Sequence, residues 1–335
     1  MKRIGSLQKI MALLLVMMLV FIAACGSGTT NKPDASNTGG NGAVQTEAPA
    51  SPKPEETPDS AETQYPLTVK DDTGFELTLQ QAPTAVVSLA PSETETLYAI
   101  GAGEQVVGVD EYSNFPEEAA TKAKIGDMAV NIEAVAALNP DLVVASSSMN
   151  FEAIEQLRAL NISVYATDPL TYDAVVAKIE MLGKIMNKQS EAAKVAQHMQ
   201  SVKEQVVASV KDAPAKKVYL EFAAGWTVGT GTFLDELITL AGGQNIAGSQ
   251  AGWFEVSAET VVTENPEIII YPVLGEEPNP ILAAIESRPG WEAIDAMKNG
   301  SLHAVTEDPL VRVGPRLADG LLELVSVIHP DSMKQ

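Results

Sequence analysis

The chain is predicted to be an α/β protein of two similar lobes joined by one long helix, and three observations carry that expectation. From Tyr65 onward, stretches with strand character alternate with amphipathic helical ones. The runs Leu142-Val143-Val144 and Ile268-Ile269-Ile270 are apolar without alternation, as parallel strands covered on both faces require. A long helical stretch separates an earlier group of strands from a later one.

At the N-terminus, Lys2, Arg3 and Lys9 precede a 15-residue apolar run, Ile10 to Ala24, which ends in small residues directly before Cys25. A basic start, a short apolar stretch and a small-residue site make residues 1–25 an export leader, too short to be a comfortable membrane span. The stretch Ile22-Ala23-Ala24-Cys25-Gly26 resembles the lipobox of bacterial lipoproteins, which implies that cleavage leaves Cys25 first and that its sulfur carries a diacylglycerol. Two acyl chains hold a protein at a membrane where one does not, since each buried methylene contributes roughly 0.8 kcal/mol. The plainer reading, a secretory leader with an incidental cysteine, leaves the position of the thiol unexplained.

Residues 26–64 hold five prolines and five glycines with many Ser, Thr, Asn and Glu, and no aromatic residue. Such a segment cannot bury enough apolar surface to offset its chain entropy, and it is expected to be a disordered tether. The first lobe is expected at 65–170, with strands near Thr68–Asp71, Phe75–Thr78, Ala85–Leu89, Gln105–Val109, Asp141–Ala145 and Ser163–Ala166. A connecting helical region follows at 171–212. In its second half Val195, Met199, Val202, Val206 and Val210 make one helical stripe, and Asp212-Ala213-Pro214 ends it. The second lobe, 213–335, carries strands near Val218–Phe222, Glu267–Tyr271 and Leu302–Val305.

A weak internal repeat relates the lobes. The segment from Asn131 to Val144 aligns without gaps with that from Ser257 to Ile270, pairing Glu133 with Glu259 and the two Asn-Pro dipeptides. Upstream, Glu95 precedes Gly101 as Glu236 precedes Gly242. One exposed carboxylate per lobe, Glu95 and Glu236, is therefore expected on equivalent first helices, an arrangement that suits a two-fold partner. The competing reading is structural: Ser92-Glu-Thr-Glu95 and Thr232-Phe-Leu-Asp235 both match capping boxes.

Composition removes several classes. The chain has 335 residues, 45% hydrophobic, enough for two lobes. Its charge of -22 argues against a nucleic-acid partner, which needs clustered Lys and Arg. A single cysteine makes neither an internal disulfide nor a cysteine-rich metal site. His198, His303 and His329 are too dispersed for a metal cluster, and no Gly-x-Gly-x-x-Gly, Walker A lysine or Gly-x-Ser-x-Gly elbow occurs. No catalytic residue, metal or cofactor is expected, and an enzyme is the remote alternative.

The ordered set Val87-Ser-Leu-Ala-Pro-Ser-Glu-Thr-Glu95, Val106-Val-Gly-Val-Asp-Glu-Tyr112-Ser-Asn-Phe-Pro116, Leu138-Asn-Pro-Asp-Leu-Val and Leu240-Ala-Gly-Gly-Gln-Asn245 resembles the substrate-binding proteins of bacterial iron-siderophore and cobalamin ABC importers. The resemblance covers Tyr65 to Pro330. It implies a class III periplasmic-binding fold, two Rossmann-like lobes joined by a single long backbone helix, with ligand held between them. It also implies a lipid-anchored monomer on the extracytoplasmic side of the membrane, and a glutamate in each lobe, mapped onto Glu95 and Glu236, docking to a permease dimer with its ATPase.

Within this family the chain is most similar to cobalamin binders, through Tyr112, Gly252-Trp253 and Asp308-Pro-Leu-Val-Arg312-Val-Gly-Pro-Arg316. That similarity implies Tyr112 and Trp253 against the flat corrin face, and Asp308 and Arg312 hydrogen-bonded to its peripheral amides. The first lobe departs from the cobalamin pattern in having no tryptophan near Asp127-Met128 or at Ser146. Arg312 and Arg316 suit an anionic ferric siderophore or a haem equally well, and a receptor outside transport is a further alternative. Each residue also has a packing role open to it: Tyr112 against Pro116, Trp253 at a core edge, and the arginines beside acidic neighbours.

Overall fold

The computed structural model describes residues 62–275 and 278–333. The leader, Cys25 and nearly all of the expected tether lie outside them. Ordered chain already begins within the tether's expected bounds: the Thr63 amide donates to Asn187 Oδ1 (2.8 Å) and its hydroxyl to the Lys184 carbonyl (2.7 Å).

A hairpin of β1 (Leu67–Lys70) and β2 (Glu76–Leu79) opens the first lobe, burying alternate residues as a half-covered antiparallel pair should. The rest alternates: β3 (Val86–Ser88), α1 (Pro91–Ala99), β4 (Val106–Val109), β5 (Ala123–Lys124), α2 (Ile132–Ala137), β6 (Leu142–Ser146), α3 (Phe151–Ala159) and β7 (Val164–Thr167). The strands form one parallel sheet in the order β5-β4-β3-β6-β7. All five residues of β6 are buried, which is why its sequence lacks alternation.

The connecting region consists of two helices, α4 (Tyr172–Ile185) and α5 (Gln189–Val210). The break falls at Asn187, which takes a left-handed backbone (φ 54°) that a helix cannot accommodate. The bridge proper is α5, about 33 Å long at 1.5 Å per residue. Its buried face is Ala192, Ala196, Met199, Val202, Val206 and Val210. The Tyr172 hydroxyl donates to the Met199 carbonyl (2.9 Å) and ties the two helices together.

The second lobe runs β8 (Lys216–Leu220), β9 (Trp226–Val228), α6 (Phe233–Leu240), β10 (Gly243–Asn245), β11 (Trp253–Glu255), α7 (Ala258–Glu264), β12 (Ile268–Val273), α8 (Pro280–Ser287), α9 (Asp295–Lys298), β13 (Leu302–Thr306), α10 (Glu307–Val311) and α11 (Leu317–Ile328). Its parallel sheet has the order β10-β8-β12-β13, and β9 pairs with β11 as an antiparallel ribbon. Among the described residues no helix is long and apolar enough to cross a membrane.

The internal repeat is structural. Helix α2 leads into β6 as α7 leads into β12, with Asn131 and Ser257 capping the two helices through their side-chain oxygens. Gly101 and Gly242 leave α1 and α6 with φ of 75° and 78°, values that glycine adopts without cost. Asp141 accepts the Thr84 and Ala85 amides, and Glu267 accepts the Lys217 amide, so an acid ahead of each inner strand secures its neighbour.

One apolar cluster runs through both lobes. It joins Leu97 and Val144 of the first to Leu220, Leu237 and Leu321 of the second through Ile179 and Leu182 of α4 and Met199 and Val206 of α5. The outer face of each sheet has its own smaller cluster, around Val87, Val143 and Ile154 in one lobe and around Tyr219, Ile269 and Trp291 in the other.

Candidate functional site

Strand order places the site. In the first sheet the chain leaves β3 for β4 on one side and returns with β6 on the other; β8 stands likewise between β10 and β12. Open parallel sheets bind ligands beyond their strand C-termini where the order reverses, because helix N-termini and loops diverge there. Many of the exposed large apolar side chains stand near those ends, with Phe75, Leu160 and Val207 elsewhere. Tyr112 and Phe115 follow β4, Met149 follows β6 and Leu170 follows β7; Leu274 follows β12, and Trp226 and Trp253 stand on the β9–β11 ribbon.

The loop carrying Tyr112 is built to present it. Buried Asp110 accepts the Tyr112 amide at 2.8 Å and takes a hydrogen bond from the Ser113 hydroxyl. Ser113 also bonds Thr94 of α1 (2.8 Å), and the Lys124 ammonium donates to the carbonyls of Asp110 and Ser113 (2.9 and 3.2 Å). With the loop anchored by these bonds, the Tyr112 side chain stands 55% exposed. In the second lobe Trp253 packs edge-on against Phe222 (centroids 5.2 Å, interplanar angle 74°) and against Phe233 (6.4 Å), and remains 44% exposed.

At the lobe junction the two lobes are stitched by charge. Glu95 Oε1 receives Arg312 Nη1 at 2.8 Å and Arg316 Nη2 at 2.6 Å, while Arg316 Nε reaches Oε2 at 2.8 Å. Asp308 closes the cluster against both arginines, at 2.8 and 3.5 Å. Arg312 also donates to Asn114 Oδ1 (2.8 Å), and the Arg316 guanidinium lies 4.2 Å over the Phe115 ring. Hydrogen bonds donated to Glu95 hold Arg316 above the ordinary arginine value, so it is charged throughout. Beside it, buried Lys178 pairs with Glu93 at 2.9 Å and donates to the Val313 carbonyl at 2.7 Å. Gly314 lies so near α1 that a Cβ there would come within 3.1 Å of the Ser92 carbonyl.

Tyr112, Asp308, Arg312 and Arg316 thus converge on the lobe junction, and Trp253 stands on the second lobe's own ribbon. The expectation of two exposed carboxylates on the first helices is corrected. Glu95 is buried, its side chain 1% accessible, because α1 starts at Pro91 and turns this residue inward onto the arginines rather than into a capping box. Glu236 is half-buried and accepts the Tyr172 amide at 2.6 Å, satisfying the first turn of α4. Thr232 does cap α6, through the Asp235 amide.

The exposed equivalent pair is Glu133 and Glu259, each the second residue of its capped helix in the repeat. The sequence alignment had already matched them. Asn114, Phe115, Met149 and Leu170 join the expected residues at these loops, signalled in the sequence only by the apolar strand that precedes each. Among the described residues no group of three or more His, Cys, Asp and Glu side chains is placed to hold a metal ion.

Two parallel-sheet lobes joined through one long helix, each with exposed aromatic side chains after or beside its strands, are the architecture of a two-lobed solute-binding protein. A family model described as periplasmic binding protein matches residues 86–309, and the chain belongs to that family. It is 34% identical over 282 residues to the uncharacterized ABC transporter substrate-binding lipoprotein YvrC of Bacillus subtilis, covering 81% of this chain and 88% of that one. Among solved structures it resembles a possible iron-binding periplasmic solute-binding protein of Staphylococcus epidermidis (26% identity, TM-score 0.67, 74% of this chain and 100% of the other). It also resembles the periplasmic vitamin B12 binding protein BtuF of Vibrio cholerae (26%, TM-score 0.65, 76% and 99%).

Proposed function

We propose that this chain is the cargo-capturing lipoprotein of an ABC importer, that it takes a cobalamin in the crevice between its lobes, and that it passes the cargo to a permease dimer. The observation carrying this reading is the gathering of exposed aromatic and aliphatic side chains at the C-terminal strand ends of both lobes. Two such faces suit a large, flat, partly apolar ligand. Tyr112 and Trp253 are assigned to the corrin faces, and Asp308, Arg312 and Arg316 to polar contacts at the crevice base. The likeness to the Vibrio vitamin B12 binding protein supports the choice.

A ferric siderophore or a haem is the second reading, favoured by the two arginines and by the likeness to the staphylococcal protein. Titration of the purified folded domain separates them. Cobalamin is expected to quench tryptophan fluorescence at micromolar concentration; absence of quenching, with quenching by a ferric chelate, overturns the cobalamin assignment.

For docking, the exposed carboxylates Glu133 and Glu259 replace the earlier candidates Glu95 and Glu236, since a contact with a partner needs an accessible group at matching positions of the repeat. Lipidation at Cys25 is assigned from the leader sequence and places the protein on the extracytoplasmic face of the membrane. Cys25→Ala is expected to move the protein from the membrane fraction to the soluble one, and its retention there would refute the anchor.

A further inference from the structure

The arginines at the lobe junction are the groups that would draw an anionic cargo, yet both are already neutralised. Arg312 and Arg316 bring two positive charges, and Glu95 with Asp308 returns two negative ones. The adjoining Lys178 is matched by Glu93, and Lys124 stands behind the Tyr112 loop with buried Asp110. The carboxylates differ in access: the Glu95 side chain is 1% exposed, that of Asp308 34%. A buried carboxylate cannot leave its partners for solvent, so the neutralisation by Glu95 is permanent. We infer that Glu95 is a specificity-determining residue, which cancels the crevice arginines from behind and so discriminates against anionic chelates in favour of an uncharged cargo.

The inference rests on the crevice reading proposed above and makes a signed prediction. Replacing Glu95 by the isosteric amide keeps hydrogen-bond acceptance at one atom while leaving one uncompensated positive charge beside the ligand. In a partly desolvated site such a charge attracts an anion strongly, and salt weakens the attraction. A role confined to holding the lobes together would instead loosen the crevice and weaken every ligand alike.

The test uses cyanocobalamin and a trianionic ferric tris-catecholate as probes, each titrated into wild type, Glu95→Gln and Asp308→Asn. Circular dichroism and thermal melting report which variants fold. The ratio of the two affinities is expected to move toward the catecholate by about tenfold in Glu95→Gln, with a smaller shift of the same sign in Asp308→Asn. The shift is expected to shrink at high salt and to be reversed in Glu95→Gln/Arg312→Gln. No shift in a folded Glu95→Gln overturns the inference; if that variant does not fold, the folded Asp308→Asn decides on the same criterion. Failure of wild type to bind cyanocobalamin would sink the cobalamin assignment while leaving the catecholate gain to judge Glu95.

Discussion

Glu95 of the first lobe and Arg316 of the second form a two-pronged ion pair across the lobe junction, with nitrogen–oxygen distances of 2.8 and 2.6 Å. Planar guanidinium against planar carboxylate is the geometry in which such pairs are strongest. Stripping a buried charge of all its partners costs about 3 to 5 kcal/mol in well-shielded pairs, but Glu95 keeps Arg312 at 2.8 Å when Arg316 is lost. Arg316 keeps 19% of its side chain exposed, so Arg316→Met is expected at or below the low end of that range, with Glu95→Ala above it. Urea unfolding of both single variants and of the double variant measures this. The double variant should recover much of the loss, because no unpaired charge remains.

Trp253 is 44% exposed and packs against Phe222 and Phe233. Trp253→Ala is expected to weaken ligand binding roughly tenfold or more, as loss of a large rigid contact does, and to remove part of the ligand-induced fluorescence change, the remainder reporting from exposed Trp226 on the same ribbon. The buried Trp291, packed edge-on against Tyr219, should contribute little to that change. Unchanged affinity in Trp253→Ala would place the ligand elsewhere.

Glu133 and Glu259 are exposed at corresponding positions of α2 and α7. Charge reversal at both, Glu133→Lys with Glu259→Lys, is expected to abolish uptake by cells while leaving the ligand affinity of the purified domain within about twofold, since neither residue lies at the lobe junction. Uptake at the wild-type rate would exclude this pair as the docking contact.

Burial, with a smaller effect of Lys216, holds the His303 imidazole on β13 below its ordinary value of 6.5. The folded chain therefore binds that proton more weakly than the unfolded chain, and stability is lost as pH falls through the unfolded value toward the folded one. His303→Gln is expected to flatten the dependence of unfolding free energy on pH between about pH 7 and about pH 5. Denaturant titrations at several pH values read the slope; an unchanged slope would assign the acid sensitivity to other groups.

Local patterns carried most of the fold. The expected strands at 141–145, 163–166 and 302–305 lie within one residue of β6, β7 and β13, because apolar runs bounded by turns leave little freedom of register. The ribbon of β9 and β11 is not legible in the sequence, since three-residue strands beside glycines carry too little pattern. The break between α4 and α5 was written in the polar stretch Asn187-Lys188-Gln189, but the stripe on either side concealed it. The site was harder to read. Ser92 and Glu95 have the spacing of a capping box, and nothing near them in sequence announces the partners 217 and 221 residues away. Polarity was legible there; direction was set by tertiary packing.

The apolar cluster that threads α4 and α5 has a consequence for how the molecule comes apart. Cutting the gene at the end of the first lobe would strip the inner flank of α4 and bare the faces that α5 and α11 now cover, so neither half is a free-standing folding unit. Melting is therefore a single concerted event for the pair, and a lesion deep in one half is felt as lost abundance of the whole receptor.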